Sequence, residues 1–351
     1  MVIYSIIMKI AVVVGINADA YSDYERSPWL KDMPDDIFSL SNSFDEPSSD
    51  VCVGYYLQKH YPKYNVDILT YDDVSLEKFN EYDLIIGFYC PYYTFINEGE
   101  EEYKKYLRII KRTKSVYLQE PELMDFVLHK SKYHKYLHKE GFPILPTEYL
   151  DLTKDKQYLK NFFKKIEKKS WEKFISKPEF GGYGEGFKIW ETKTFKEKNF
   201  FKYVDQMKKK GFKKMLFQKF VREFHNFYEV RTYWHNGVYK YSVGTIIDLE
   251  TLGTGDETLT VDLPESEGGE IEEVLMKKLK KMGKEVLEAL PFETPFSFRI
   301  DFGCCLDNQK ICRDYFINEI EYNGNLLAND TEFNVIESLG KAIIKRANGL
   351  K

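Results

Sequence analysis

The sequence predicts a small parallel α/β domain followed by a larger α+β region, and three observations carry that expectation. Short apolar, β-branched runs alternate with helical periodicities as far as Glu120. After Pro121 the rhythm changes to hairpins and separate amphipathic helices. The chain of 351 residues is too long for a single small core.

The opening elements read as follows. Lys9–Ile16 is a continuous apolar run, as expected of a strand buried on both faces. A helix is expected over Val51–Tyr61, with strands at Tyr64–Tyr71 and Tyr82–Tyr89. Tyr103, Tyr106, Leu107 and Ile110 fall on one helical face, and Ser115–Glu120 reads as a short strand.

The middle block begins with a helix over Leu123–Glu140, stopped by Gly141, Pro143 and Pro146. A strand near Glu148–Leu152 leads to a helix with Tyr158, Leu159, Phe162, Phe163 and Ile166 on one side. A hairpin then surrounds "KPEFGGYGEGFKIW" (Lys177–Trp190), followed by a helix over Phe195–Lys209 and a strand over Lys214–Val221.

The last block opens with Asn226–Ile246, two strand-forming runs around an Asn236-Gly237 turn. A polar loop from Asp248 to about Gly268 comes next, then a helix with Leu275, Leu279, Met282, Val286 and Leu290 on one stripe. Phe296–Gly303 and Asp314–Asn323 read as a closing pair of strands that turns near Asp307-Asn308.

Composition excludes several classes. Apolar residues at 43% and charged residues at 30% describe a soluble globular chain. A net charge of −5 argues against a dedicated nucleic-acid binder, and the lysine runs at 164–169 and 208–214 read as solvated helix faces. Cys52, Cys90, Cys304, Cys305 and Cys312 have no regular spacing, which fits reduced thiols in a cytoplasmic setting and no zinc site. "MVIYSIIM" at the start is too short for a signal peptide or a membrane span.

The last two strands carry the strongest chemical signal. Side chains alternate along a strand, so Arg299 and Asp301 share one face. Glu319, Glu321 and Asn323 share a face on the partner. If the two polar faces coincide, three carboxylates converge, and they repel unless cations neutralise them. Magnesium suits such a set, with manganese as an alternative, because hard cations take carboxylate oxygens and leave positions for phosphate. Spacing alone equally allows two amphipathic strands with one face in water.

Gly181, Gly182, Gly184 and Gly186 would let backbone amides approach phosphate without side-chain clash. Lys177 adds a point charge beside them. The same residues also fit a plain hairpin turn, and they match neither a Walker loop nor a dinucleotide fingerprint. Between the two features, backbone groups of Lys219 and Val221 on a strand edge are candidates for an adenine edge. Glu223 or Glu229 are candidates for ribose hydroxyls, and Arg231 for phosphate.

Taken in order from about Tyr117 to Asp330, these pieces resemble the ATP-grasp superfamily of carboxylate–amine ligases. The family carries a lysine ahead of a helix ending in a "GxP" turn, matched by Lys130 in "HKSKYHKYLHKEGFP". A second lysine opens a flexible glycine-rich loop, matched by Lys177. A hinge is matched by "QKFV" at Gln218–Val221, and an acidic-apolar-arginine strand by Glu229–Arg231. An aspartate and then an "ExN" close the pattern, matched by Asp301 and Glu319. Glu321 replaces the family's asparagine, Asn323 lies one alternation further on, and His129 replaces the usual aspartate before the first lysine.

The resemblance implies a two-lobed ATP-grasp fold after the α/β domain, with boundaries at 1–120, 121–221 (a lid) and 222–351. It implies ATP and magnesium as cofactors, Asp301, Glu319 and Glu321 or Asn323 as metal ligands, and Arg299 gripping an acyl phosphate or substrate carboxylate. The expected reaction joins a carboxylate to an amine, an amino acid or peptide, through an acyl phosphate. The substrates are expected between the α/β domain and the last block. A protein-modifying ligase, a phosphotransferase and a non-catalytic nucleotide-binding regulator are the alternatives. Small-molecule substrates, no nucleic acid, no membrane and a homodimer complete the expectation.

Overall fold

The computed structural model describes residues 7–15, 18–41, 45–88, 100–180, 186–221, 229–247, 258–261, 269–306, 312–322 and 326–350. Three sheets organise them. The first is parallel, with β1 (Lys9–Val13), β2 (Asn65–Leu69), β3 (Leu84–Gly87) and β4 (Val116–Tyr117) in the order β2-β1-β3-β4. Helical segments α1 (Asp35–Phe38), α2 (Ser49–His60), α3 (Leu76–Phe79) and α4 (Glu100–Arg112) connect these strands. Ile10, Ala11, Val12 and Val13 are all fully buried, because both faces of β1 meet packed elements.

The middle region follows α5 (Pro121–Leu128) and α6 (Lys130–Lys139). Its antiparallel sheet runs β5-β8-β6-β7, with β5 at Thr147–Asp151, β6 at Lys173–Pro178, β7 at Lys188–Glu191 and β8 at Lys214–Lys219. Helices α7 (Lys156–Glu167) and α8 (Glu197–Lys209) supply its core. Phe162, Phe163, Phe174, Trp190, Phe195, Phe200 and Phe217 make that core rich in aromatic rings, and it is a separate cluster from the other two.

The last sheet is antiparallel with five strands in the order β11-β10-β9-β12-β13. These are β9 (Glu229–His235), β10 (Val238–Ile247), β11 (Thr258–Val261), β12 (Ser297–Leu306) and β13 (Cys312–Glu321), with α9 (Gly269–Ala289) and α10 (Val335–Gly349) against them. Asn236 and Gly237 turn the β9–β10 hairpin with φ of 49° and 72°, the left-handed pair that a tight hairpin demands. The first and last sheets share both remaining cores. Val13 and Ile85 join Val230, Phe298 and Ile300 in one, while Val12 and Ile86 join Tyr233, Tyr241 and Ile343 in the other.

Three expectations are corrected. The single helix over Leu123–Glu140 is broken at His129, whose backbone (φ −91°, ψ 88°) leaves the helix to form an antiparallel bridge with Phe180. The polar loop Asp248–Gly268 contains a strand, β11, on the free edge of β10. The strand at Ser115–Glu120 shrinks to two residues. The turn near Asp307-Asn308 lies outside the described residues.

The contact between α2 and α10 gives a stability prediction. A Cβ on Gly340 would lie 2.4 Å from Cδ1 of the Tyr56 ring, and that ring is 6% exposed. Alanine gains about 1 kcal/mol in helix propensity, but overpacking of this kind costs about 1–3 kcal/mol. Gly340→Ala is therefore expected to lower the urea midpoint. A raised midpoint would show that the two helices separate freely.

Candidate active site

The strand β12 is buried on both sides. Phe298, Ile300 and Phe302 enter the shared core, which leaves Arg299 (5% exposed) and Asp301 (2%) on the opposite face. The register sets Asp301 opposite Glu319 and Arg299 opposite Glu321, so the two polar faces do coincide. Arg299 donates from Nε and Nη2 to both oxygens of Asp301, each at 2.8 Å. The same Nη2 lies 2.9 Å from Glu321. One carboxylate oxygen from each of Asp301, Glu319 and Glu321 falls in a group within 4.8 Å of one another.

The middle sheet delivers Lys177. Phe174, Ser176 and Pro178 of β6 point into the aromatic core, so the intervening Lys177 points away from it. Its ammonium reaches Glu319 Oε1 at 2.7 Å and ties the middle sheet to the last. Lys130 opens α6 and lies close enough for its charge to act on Glu319. On β9, Arg231 donates to Glu229 at 3.0 Å and stands opposite Asp301 of β12 in the strand register.

These contacts split the carboxylates. Burial opposes ionisation of Glu319, but Lys177, Lys130 and Arg299 outweigh it and hold the group well below the usual carboxylate range. Glu321 moves upward through burial and the repulsion of Asp301 and Glu319, against the pull of Arg299. Glu229 also moves upward, through burial and the charge of Asp301. Burial and the charge of Lys177 push His134, one helical turn beyond Lys130, down to about 3, so this imidazole is neutral.

Four carboxylates (Glu229, Asp301, Glu319, Glu321) thus face three cationic side chains (Lys177, Arg231, Arg299) in direct contact. An all-oxygen donor set with excess negative charge is chemically suited to a divalent hard cation.

Other expected residues fall elsewhere or outside the described residues. Gln218 is buried in the middle sheet, its amide donating to Thr147 at 3.0 Å. Lys219 was expected to offer an edge amide, but β8 lies between β5 and β6, and that N–H donates to the Pro146 carbonyl at 3.0 Å. Val221 follows the end of β8. Gly186 has φ of +73°, and its carbonyl accepts from Tyr203 at 2.7 Å. Gly181, Gly182, Gly184, Glu223 and Asn323 lie outside the described residues.

Sequence reasoning missed Asn318. Asp301 pairs with Glu319, yet Phe302 pairs with Ile317, so Asn318 is the extra residue of a β-bulge. The bulge breaks the alternation, and Asn318 donates to Glu229 at 2.6 Å. No periodicity in the sequence announces such a break.

The three sheets in this order make the ATP-grasp fold. Solved structures bear this out. The chain is similar to D-cycloserine synthetase DcsG, with a TM-score of 0.65 at 15% identity over 96% of this chain and 99% of that one. It is similar to D-alanine–D-alanine ligase from Bacillus anthracis complexed with ATP, with a TM-score of 0.58 at 13% identity over 97% and 99%. The ATP-grasp ligase PsnB, complexed with its minimal precursor, aligns with a TM-score of 0.55 at 11% identity over 96% and 99%. At such identities the shared property is the fold. No protein-family model matches the sequence, and no curated protein matches it. Among the described residues no helix is long and apolar enough to cross a membrane.

Proposed function

We propose that this protein is an ATP- and magnesium-dependent ligase that joins a carboxylate to an amine through an acyl phosphate. The observation that carries the reading is the junction of two sheets, where Lys177 meets Glu319 beside Asp301 and Glu321. Lys130, Lys177 and Arg231 neutralise the polyphosphate. Asp301, Glu319 and Glu321, with Asn323 as the alternative third ligand, hold magnesium or manganese, which when bound screens charge on the transferred phosphoryl group. Val221 borders the nucleoside, with Glu223 or Glu229 on the ribose hydroxyls. The glycines at 181, 182, 184 and 186 close over the phosphates and exclude water.

In the first step a carboxylate oxygen of the substrate attacks the γ-phosphorus and ADP leaves. In the second, an amine attacks the acyl carbon, phosphate leaves, and the amine gives up a proton. The protein's part is positioning and charge neutralisation. Arg299, which neutralises Asp301 and Glu321, is proposed to grip the acyl phosphate or the substrate carboxylate.

The cores support the domain reading in part: Leu150 to Phe217 keep a core of their own, whereas Leu123, Met124, Val127, Leu128, Tyr133 and Leu137 pack in a core shared with the first and last sheets. Residues 1–120 form the α/β domain, 121–221 the lid region and 222–351 the region of the acidic cluster. The separate aromatic core of the middle sheet suits a unit that moves on its own. Substrates are placed between the first and last sheets. Asp19, beyond the carboxyl end of β1, accepts from Ser49 at 2.9 Å and from the N–H groups of Leu326 and Ala328 at 3.4 and 3.3 Å. The carboxyl end of the parallel sheet, where open α/β sheets take ligands, therefore adjoins the chain just beyond Glu321. The irregular spacing of the five cysteines supports a cytoplasmic location.

Phosphate release from ATP, screened against pairs of carboxylates and amines, tests the reading. Release that requires both partners is expected. Transfer to an alcohol would identify a phosphotransferase, and tight ATP binding without release a regulator. A signal only with a peptide acceptor would favour the protein-modifying alternative.

A further inference from the structure

A buried carboxylate outside the acidic cluster organises the chain just ahead of the glycine-rich segment. Glu179 is 3% exposed and lies two residues after Lys177. Its Oε2 is 3.1 Å from Nδ1 of His129, and its Oε1 accepts from the hydroxyl of Ser131. Its backbone carbonyl accepts from the N–H of Lys130 at 3.0 Å, and its own N–H donates to Lys214 at 3.0 Å. Three consecutive residues, 129 to 131, therefore converge on one glutamate. Phe180 completes the junction by bridging to His129 along the backbone and packing on its ring at 5.2 Å.

The arrangement explains why the chain leaves the helix at His129. The break lets residues 129–131 turn their backbone and side chains toward Glu179 while α6 starts anew at Lys130. Lys130 and Lys177 stand on separate elements, and each lysine is a long, rotamer-rich side chain. Two such groups grip one polyphosphate well only if their backbones are held at a set distance.

We propose that Glu179 is a positioning residue for the nucleotide: through His129, Ser131 and the backbone of Lys130 it locks the two phosphate-facing lysines into one unit at the root of the glycine-rich segment. This inference rests on the nucleotide reading of the site given above.

The clamp has a protonation signature. The nitrogens of His129 face two carboxylates, Glu179 and Asp125, the latter at 3.3 Å. Lys132, which pairs with Asp125, and Lys214, which faces Glu179, are the neighbouring positive charges. Burial disfavours the imidazolium, but the two carboxylates win and raise its pKa above the ordinary 6.5. Burial likewise disfavours the Glu179 anion, and His129 and Ser131 outweigh it to lower its pKa. The clamp is complete while His129 is protonated and loosens as pH rises through that raised value.

The test measures binding of a non-hydrolysable ATP analogue with magnesium by calorimetry, across pH, in wild-type protein, Glu179→Ala, Glu179→Gln and Ser131→Ala. Glu179→Ala is expected to weaken binding by about tenfold, with the two milder variants between it and wild type. Affinity in wild type should fall more steeply with rising pH than in Glu179→Gln. Comparing the two profiles cancels the nucleotide's own titration. Glu179→Gln keeps the volume and the hydrogen bond from Ser131, so it guards against misfolding of the alanine variant. Wild-type affinity and an unchanged pH profile in both Glu179 variants would overturn the inference alone. Failure of the wild-type protein to bind the analogue would overturn the nucleotide reading and this inference with it.

Discussion

Glu319→Gln is expected to lower ATP-dependent phosphate release by about 10²–10³-fold, the usual cost of removing one preorganised electrostatic contact from a phosphoryl-transfer site. The substitution preserves shape, and a glutamine oxygen still accepts a hydrogen bond from Lys177, now 2.7 Å from the carboxylate. Loss of the charge leaves the half-buried Lys177 ammonium uncompensated, so a stability loss of about 1–3 kcal/mol is expected as well. What disappears is charge at the centre of the cluster, where Asp301, Glu319 and Glu321 come together. Manganese binding, followed by electron paramagnetic resonance, should weaken in parallel with turnover. Unchanged turnover in a folded Glu319→Gln protein would remove Glu319 from the metal set and leave its ion pair with Lys177 as its sole role.

The pairing of the two late strands was legible because it depends on the period of a strand. Alternation placed Arg299 with Asp301 and Glu319 with Glu321, and the register then joined the two faces. The aromatic periodicity of 159–166 and the Asn-Gly turn were legible for the same local reason. Contacts that depend on non-local geometry were not. Nothing in the sequence relates Lys177 to Glu319, 142 residues apart. The bulge at Asn318 reverses a local rule without a glycine or proline to mark it. The helix break at His129 also lacks such a mark, because its cause is the distant Phe180 and Glu179. Lys219 shows the converse: its strand was identified, but sheet order decides whether an amide is on an edge, and β8 is interior.

Arg299→Met is expected to destabilise the protein without added metal by about 3–5 kcal/mol, as when one partner of a buried ion pair is removed. The guanidinium is nearly inaccessible, and it neutralises Asp301 and Glu321 together. Methionine fills most of its volume, so the loss is electrostatic more than steric. The stranded carboxylates then have two ways of reducing their repulsion, and each gives a distinct readout. One is protonation: the stability deficit relative to wild type should shrink as pH falls, because protons neutralise the groups the arginine no longer serves. The other is a cation: magnesium should raise the melting temperature of Arg299→Met more than that of wild type, since a ligand bound only by the native state stabilises it by mass action. If Arg299→Met melts with the wild type, or if magnesium shifts both equally, Arg299 is not the counter-ion that keeps the acidic cluster folded before metal arrives. If both readouts appear, Arg299 and a divalent ion neutralise the same two carboxylates, Asp301 and Glu321.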